Sequence, residues 1–145
     1  MTPLVRRYVK TSFVFLLAGV LLGASLVVTQ FLGLTSASRL VVVAHVHILL
    51  VGFVLILIMG VATWMFPRPG RDDVRYHPGL AETVYWLITI STAVRALAEI
   101  AMGLSGLPTL RWPIVAGGLG QAVGTMLFVL NMWSRVRMPR VPPAV

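Results

Sequence analysis

The chain has 145 residues, of which 58% are hydrophobic and 11% are charged, whereas a soluble domain usually carries about 25% charged residues. This composition argues against an ordinary soluble globular protein. The net charge of +8 first suggests a nucleic-acid partner, but the positions of the charges argue against one. The sequence has no cysteine, which excludes disulfides, thiolate iron–sulfur clusters and covalent CxxCH haem attachment.

The charged residues leave four long apolar stretches, each sufficient to cross a bilayer, which takes about 20 helical residues. Three stretches carry no charged side chain, and the stretch from 83 to 110 carries only Arg95 and Glu99. We predict an all-α integral membrane protein that forms a single four-helix bundle over residues 1–145. The predicted spans cover about residues 12–34, 40–66, 81–104 and 112–134.

The first span follows Arg6, Arg7 and Lys10, as in a signal peptide. Its apolar run is too long for a secretory signal, which has about 7–15 apolar residues, so we interpret it as a retained helix. Gly19 and Gly23 form a GxxxG pair that permits close helix packing, although two small residues that face lipid would fit equally well.

The later spans are distinguished by aromatic and small residues. Trp64 and Phe66 mark the exit of the second span at the membrane interface. The fourth span is rich in glycine, which gives it a smooth face that can pack against another backbone. We expect the connections to be short, except for the loop at 67–80, and the tail from Arg135 onward to be irregular.

The basic residues predict the orientation. Nine lie in the N-terminal arm, the 67–80 loop and the tail, whereas the other side has only Arg39 and Arg111. By the positive-inside rule, both termini are cytoplasmic, and we expect a multi-pass protein of a prokaryotic-type inner membrane. The charge of +8 then reflects topology and contact with anionic lipid, with no need for nucleic acid.

Few polar residues lie inside the spans, where they are costly and point to function. If the spans alternate in direction, five of these residues share one level in the outer half of the membrane, while Asn131 lies near the inner interface. The five are His45, His47, Arg95, Glu99 and Gln121.

His45 and His47 point about 200° apart on a helix, so they cannot ligate one metal ion beside it. Each should face a different neighbour. Imidazole suits iron, copper and zinc and is a common axial ligand of haem, so we predict metal or haem binding at both residues. The alternative is that each histidine makes an interhelical hydrogen bond and nothing more.

Arg95 and Glu99 are spaced i, i+4 and therefore share one helix face. They form either a mutually neutralising pair or part of a cofactor site. In a cofactor site, Arg95, with Arg39 or Arg111, would hold an anionic group such as a haem propionate, and Glu99 would carry a proton. His77 is expected to be a solvated loop histidine.

The segment at residues 42–47, VVAHVH, continues through IMG at 58–60 to WMFP at 64–67. It resembles the tenth helix of haem–copper oxidase subunit I. The resemblance covers about 26 residues, and the HxH core is its specific part. It implies that His45 is an axial ligand of a high-spin haem and that His47 is a ligand of a low-spin haem on the opposite helix face.

The same resemblance implies an assembly. The twelve helices of that subunit form three arcs of four, and this chain would supply one arc with the motif on its second helix. The resemblance therefore suggests a homotrimer, in which His45 of one chain faces His47 of the next across a shared haem. No adjacent His-His pair is present, and no histidine–tyrosine arrangement appears on another helix, so one chain encodes no complete oxygen-reducing site, and enzymatic activity stays open.

The function expected from this resemblance is that of a b-type cytochrome-like protein for electron transfer or haem and gas binding, with a possible partner in a respiratory chain. One alternative is a copper-binding protein that uses both histidines with Met59 or Met126. Another is a structural or assembly subunit without a cofactor.

Overall fold

The computed structural model of the chain describes residues 1–34, 38–66, 78–133 and 135–136. This described part contains four helices that are long and apolar enough to cross a membrane, which confirms the predicted all-α architecture. A single 3₁₀ turn, Pro108–Leu110, leads into the last helix. The four helices are α1 (Pro3–Phe31), α2 (Arg39–Met65), α3 (Pro78–Ser105) and α4 (Arg111–Trp133).

Helix α1 begins at Pro3, before the predicted membrane span, which starts at about residue 12. The side chain of Thr2 caps it by accepting a hydrogen bond from the Val5 amide at 3.4 Å, and Pro3 occupies the first turn. The basic residues at 6, 7 and 10, which precede the predicted span, therefore lie on the helix. The absence of charged residues marks only the part of a helix that spans the bilayer. Arg and Lys are good helix formers, so the helix itself can extend beyond the spanning part.

Helix α2 changes its hydrogen-bond pattern in the middle. Two α-helical segments, Arg39–His47 and Ile56–Met65, flank an eight-residue π-helical segment, Ile48–Leu55. The π segment begins directly after His47, and π-helical turns within α-helices often accompany functional sites. Gly52 lies in this segment, and a Cβ atom there would lie 2.6 Å from Cγ of Phe15 in α1.

The helices form a sequential arrangement in which α1 packs on α2, α2 packs on α3, and α4 packs chiefly on α3. The apolar core lies at one end and joins side chains from the first three helices. Tyr8 reaches across this core, where its hydroxyl donates to the Ala81 carbonyl at 3.4 Å and its ring meets the Tyr85 ring edge-on at 4.9 Å between centroids. The core residues are Tyr8, Ile56, Met59, Val84, Tyr85 and Ile88.

Glycines allow the close approaches between helices. Gly19 faces Leu49, and a Cβ atom on Gly23 would lie 2.5 Å from Cε1 of His45, so the GxxxG pair of α1 packs against α2 instead of facing lipid. On α4, a Cβ atom at Gly117 would lie 2.7 Å from Cβ of Arg95. The prediction that the glycine-rich face of α4 packs against another helix is confirmed, and that helix is α3.

Arg135 joins the end of α4 to the end of α2. Its guanidinium donates hydrogen bonds to the carbonyls of Thr63 and Phe66, and the residue is buried. These carbonyls belong to the last turn of α2, where a basic side chain can satisfy them. Sequence reasoning placed Arg135 in an irregular tail. Most of that tail and most of the 67–80 loop lie outside the described residues.

Candidate functional site

His45 lies between α1 and α2. Its Nδ1 is 2.9 Å from the Gly19 carbonyl oxygen, and because a carbonyl only accepts, Nδ1 carries the proton and donates. The ring lies against Gly23, where any side chain would collide with it. Both glycines of the GxxxG pair therefore serve the same histidine, since one supplies the acceptor and the other supplies space.

His47 faces the opposite side, toward α3. Its Nδ1 lies 3.0 Å from Oε2 of Glu99. The His47 side chain is 21% exposed and the Glu99 side chain only 2% exposed, so the carboxylate is almost fully enclosed. The prediction that the two histidines serve different neighbours is confirmed, and so is their placement on opposite sides of α2.

Arg95 forms a hydrogen bond with the other oxygen of the Glu99 carboxylate. Its Nε donates to Oε1 of Glu99 at 2.9 Å, and its NH1 group donates to Oε1 of Gln121 on α4 at 2.9 Å. The Gln121 amide nitrogen donates in turn to the Thr92 hydroxyl at 3.1 Å. These bonds link α2, α3 and α4 in one chain of polar contacts.

This chain of contacts, His47–Glu99–Arg95–Gln121–Thr92, is hereafter the polar network. The prediction that Gln121 lies at the depth of Arg95 and Glu99 is confirmed by direct contact. His45 lies at the same level but outside the network. Sequence reasoning missed Thr92, because a threonine on an apolar helix usually bonds to its own backbone and gives no distinctive signal.

The polar network is balanced in charge. The Arg95 guanidinium and the Glu99 carboxylate form an ion pair, and every carboxylate oxygen has a donor. Buried charges are tolerated only when paired and hydrogen-bonded, because their desolvation is costly. A neutral His47 adds no charge, so the network places no net charge inside the apolar bundle.

The remaining candidate residues lie apart from this network. Arg39 is exposed at the start of α2, and Arg111 is exposed at the start of α4, where its guanidinium lies 5.6 Å from the centre of the Trp112 ring. The structure brings neither of them to Arg95. Asn131 is buried near the far end of α4, and its Oδ1 has no hydrogen-bond partner among the described residues. His77 lies outside the described residues.

The donor set limits the kind of centre that this chain can hold. The described residues contain no group of three His, Cys, Asp or Glu side chains placed to hold a metal ion. Met59 is buried in the apolar core at the other end of α2, and Met126 is exposed on α4. Met59 therefore lies away from the histidines, whereas an axial haem ligand requires only one imidazole.

Comparisons with protein-family models, with curated proteins and with solved structures found no match to this chain. The likeness to haem–copper oxidase subunit I therefore depends on the α2 motif alone.

The ion pair of the polar network generates a prediction about stability. Arg95→Leu should reduce the free energy of unfolding by about 3–5 kcal/mol, because it leaves the Glu99 carboxylate buried without its cation. Arg7→Leu is the matched control: Arg7 pairs with Glu82 where both side chains are about half exposed, and such pairs contribute about 1 kcal/mol or less. Unfolding in mixed micelles, followed by circular dichroism, measures both, and equal losses would contradict the structure.

The glycine beside His45 generates a second prediction. Gly23→Ala should destabilise the protein by about 1–3 kcal/mol, because the new methyl group collides with the imidazole and separates α1 from α2. Gly79→Ala is the control, since a Cβ atom at Gly79 meets nothing within 4 Å and alanine favours the helix. The same unfolding measurement applies. If the two variants have the same stability, His45 does not pack as described.

Proposed function

We propose that this protein binds haem in the membrane through His45 and His47 and acts as a b-type cytochrome-like protein in electron transfer or in haem-linked gas binding. The observation that supports the proposal is the hydrogen bonding of the two imidazole rings. Each donates from Nδ1 to an acceptor on a neighbouring helix, and neither Nε2 has a hydrogen-bond partner among the described residues. Histidine ligands of metals characteristically show this arrangement, in which one nitrogen is oriented by an acceptor and the other is free to coordinate.

The residues present fit an axial role. The acceptors fix the Nδ1–H tautomer, so the lone pair resides on Nε2. Neither histidine is fully buried, so each can be approached from outside the chain. The groove of about 560 Å³ between α2 and α4 is lined by residues such as Val51, Leu55 and Gln121 and by neither histidine. A haem would therefore lie at the surface of one chain, where a neighbouring chain can enclose it.

This surface position supports the proposal of a homotrimer. The sequential packing of four helices is compatible with one arc of a larger ring. In a threefold assembly, His45 of one chain would face His47 of the next, which gives up to three bis-histidine haems per trimer by symmetry. Each site is incomplete without its neighbour, because the two ligands point away from each other in one chain.

Haem bound in this way supplies a one-electron couple. The chain contributes the two imidazoles, the acceptors that orient them and an apolar surround. If both imidazoles held the iron, no position would be left for a gas, which favours electron transfer with a redox partner in a respiratory chain; gas binding would need only one of the two histidines as a ligand. We also propose that the protein lies in a prokaryotic-type inner membrane with both termini in the cytoplasm, as the basic residues predict.

A second candidate function has its own observation. The same hydrogen bonds that orient the histidines also join the helices, since His45 links α2 to α1 and His47 links α2 to α3. A structural or assembly subunit without a cofactor would need these bonds for packing alone. The copper-binding alternative receives less support, because Met59 lies in the apolar core at the other end of α2.

The visible spectrum of the purified protein tests the proposal. We expect reduced protein to show the absorption of low-spin b-type haem, and His45→Ala or His47→Ala to remove or alter it, because each substitution deletes an axial ligand. His77→Ala is the control and should leave the spectrum unchanged. Protein that stays colourless after haem reconstitution supports the subunit without a cofactor, and loss of haem from His77→Ala alone refutes the assignment of the ligands.

The assembly is tested independently by native mass spectrometry of detergent-solubilised protein. We expect three chains with up to three haems, and His45→Ala should lower the number of haems per chain because each haem uses one histidine from each of two chains. A monomer without haem would refute the proposed assembly.

A further inference from the structure

The two histidines differ in the acceptor that each one contacts. Nδ1 of His47 donates to the carboxylate of Glu99, whereas Nδ1 of His45 donates to the neutral backbone carbonyl of Gly19. Hydrogen bonds to an ionised acceptor are about twice as strong as neutral ones. The Nδ1 proton of His47 is therefore drawn away more strongly, which leaves more electron density on Nε2 of His47 than on Nε2 of His45.

The carboxylate is held rigidly for this role. Glu99 is 1% exposed, so water does not weaken its interaction with His47. Arg95 donates to its second oxygen, Gln121 accepts from Arg95, and Thr92 in turn accepts from Gln121. One carboxylate oxygen therefore remains directed at the imidazole.

We infer that Glu99 is a positioning residue that makes His47 the more strongly donating ligand and lowers the reduction potential of the haem that His47 binds. This inference rests on the proposed function. A more basic ligand stabilises ferric over ferrous iron, and hydrogen bonds to axial ligands are among the means by which proteins adjust haem potentials. Glu99 thus gives one helix two unequal haem ligands.

The alternative is that Glu99 acts only as a buried charge that neutralises Arg95. Two variants separate these roles. Glu99→Gln removes the carboxylate and leaves Arg95 unpaired. The double variant Arg95→Gln/Glu99→Gln removes both charges, so the net charge of the site is unchanged while His47 still loses its carboxylate. Replacing both members of a buried pair is also better tolerated than replacing one. If Glu99→Gln does not fold, the reduction potential can therefore still be measured in the double variant.

The experiment is a redox titration of the haem-loaded, full-length protein, followed in the visible region. We expect each variant to reduce the preference for ferric over ferrous haem about tenfold, which corresponds to an upward shift of about 59 mV for one electron. Glu82→Gln is the matched control: it lies on the same helix, and Glu82 is exposed and paired with Arg7, so the potential should not change.

Three results overturn the inference. A wild-type potential in both Glu99→Gln and the double variant shows that the carboxylate does not act on the ligand. A rise in Glu99→Gln but not in the double variant shows that Glu99 acts only as a charge. An equal rise in Glu82→Gln shows that the effect is not specific. Wild-type protein that takes up no haem instead refutes the proposed function itself, so the two failures are distinguishable.

Discussion

The ion pair between Arg95 and Glu99 is the interaction on which the arrangement of α2, α3 and α4 depends. Both charges lie on one helix within an apolar bundle, so each must be satisfied by neighbouring helices or by the other. His47 of α2 and Gln121 of α4 supply the remaining hydrogen bonds to Glu99 and Arg95. The depth and rotation of α3 relative to both neighbours are thereby constrained, because a shift of one residue along either helix would leave a buried polar atom without a partner.

Small residues make this arrangement possible. Membrane helices gain little from apolar burial against lipid, so they associate through close packing and polar contacts. Gly117 and Gly120 allow α4 to lie directly against Arg95 and Ser91, which brings Gln121 within reach of the guanidinium. Gly19 and Gly23 do the same for α1 and the ring of His45. The contact between His45 and α1 and the contact between Arg95 and Gln121 therefore each have glycines beside them.

The two histidines illustrate how one helix can present different chemistry on its two sides. Because they are two residues apart on a helix, the two side chains point to opposite sides of α2. The neighbouring helices then provide a neutral acceptor to His45 and an anionic acceptor to His47. Under the proposed function, this difference would make the two ligands unequal although their side chains are identical. The π segment begins directly after His47, so the second half of α2, including Met59 in the core, has a different rotation from that of a continuous α-helix.

The sequence by itself determined the four apolar helices, the opposite directions of His45 and His47, and the common depth of His47, Arg95, Glu99 and Gln121, because these follow from the length of apolar runs and the local periodicity of a helix. Only the tertiary structure decided that Gly19 accepts from His45, that Thr92 ends the polar network, that Arg135 caps α2 and that α2 contains a π segment. These features depend on which helices are neighbours and on their mutual rotation. Both arise from close packing at glycines between distant parts of the chain, and local periodicity carries no information about that packing.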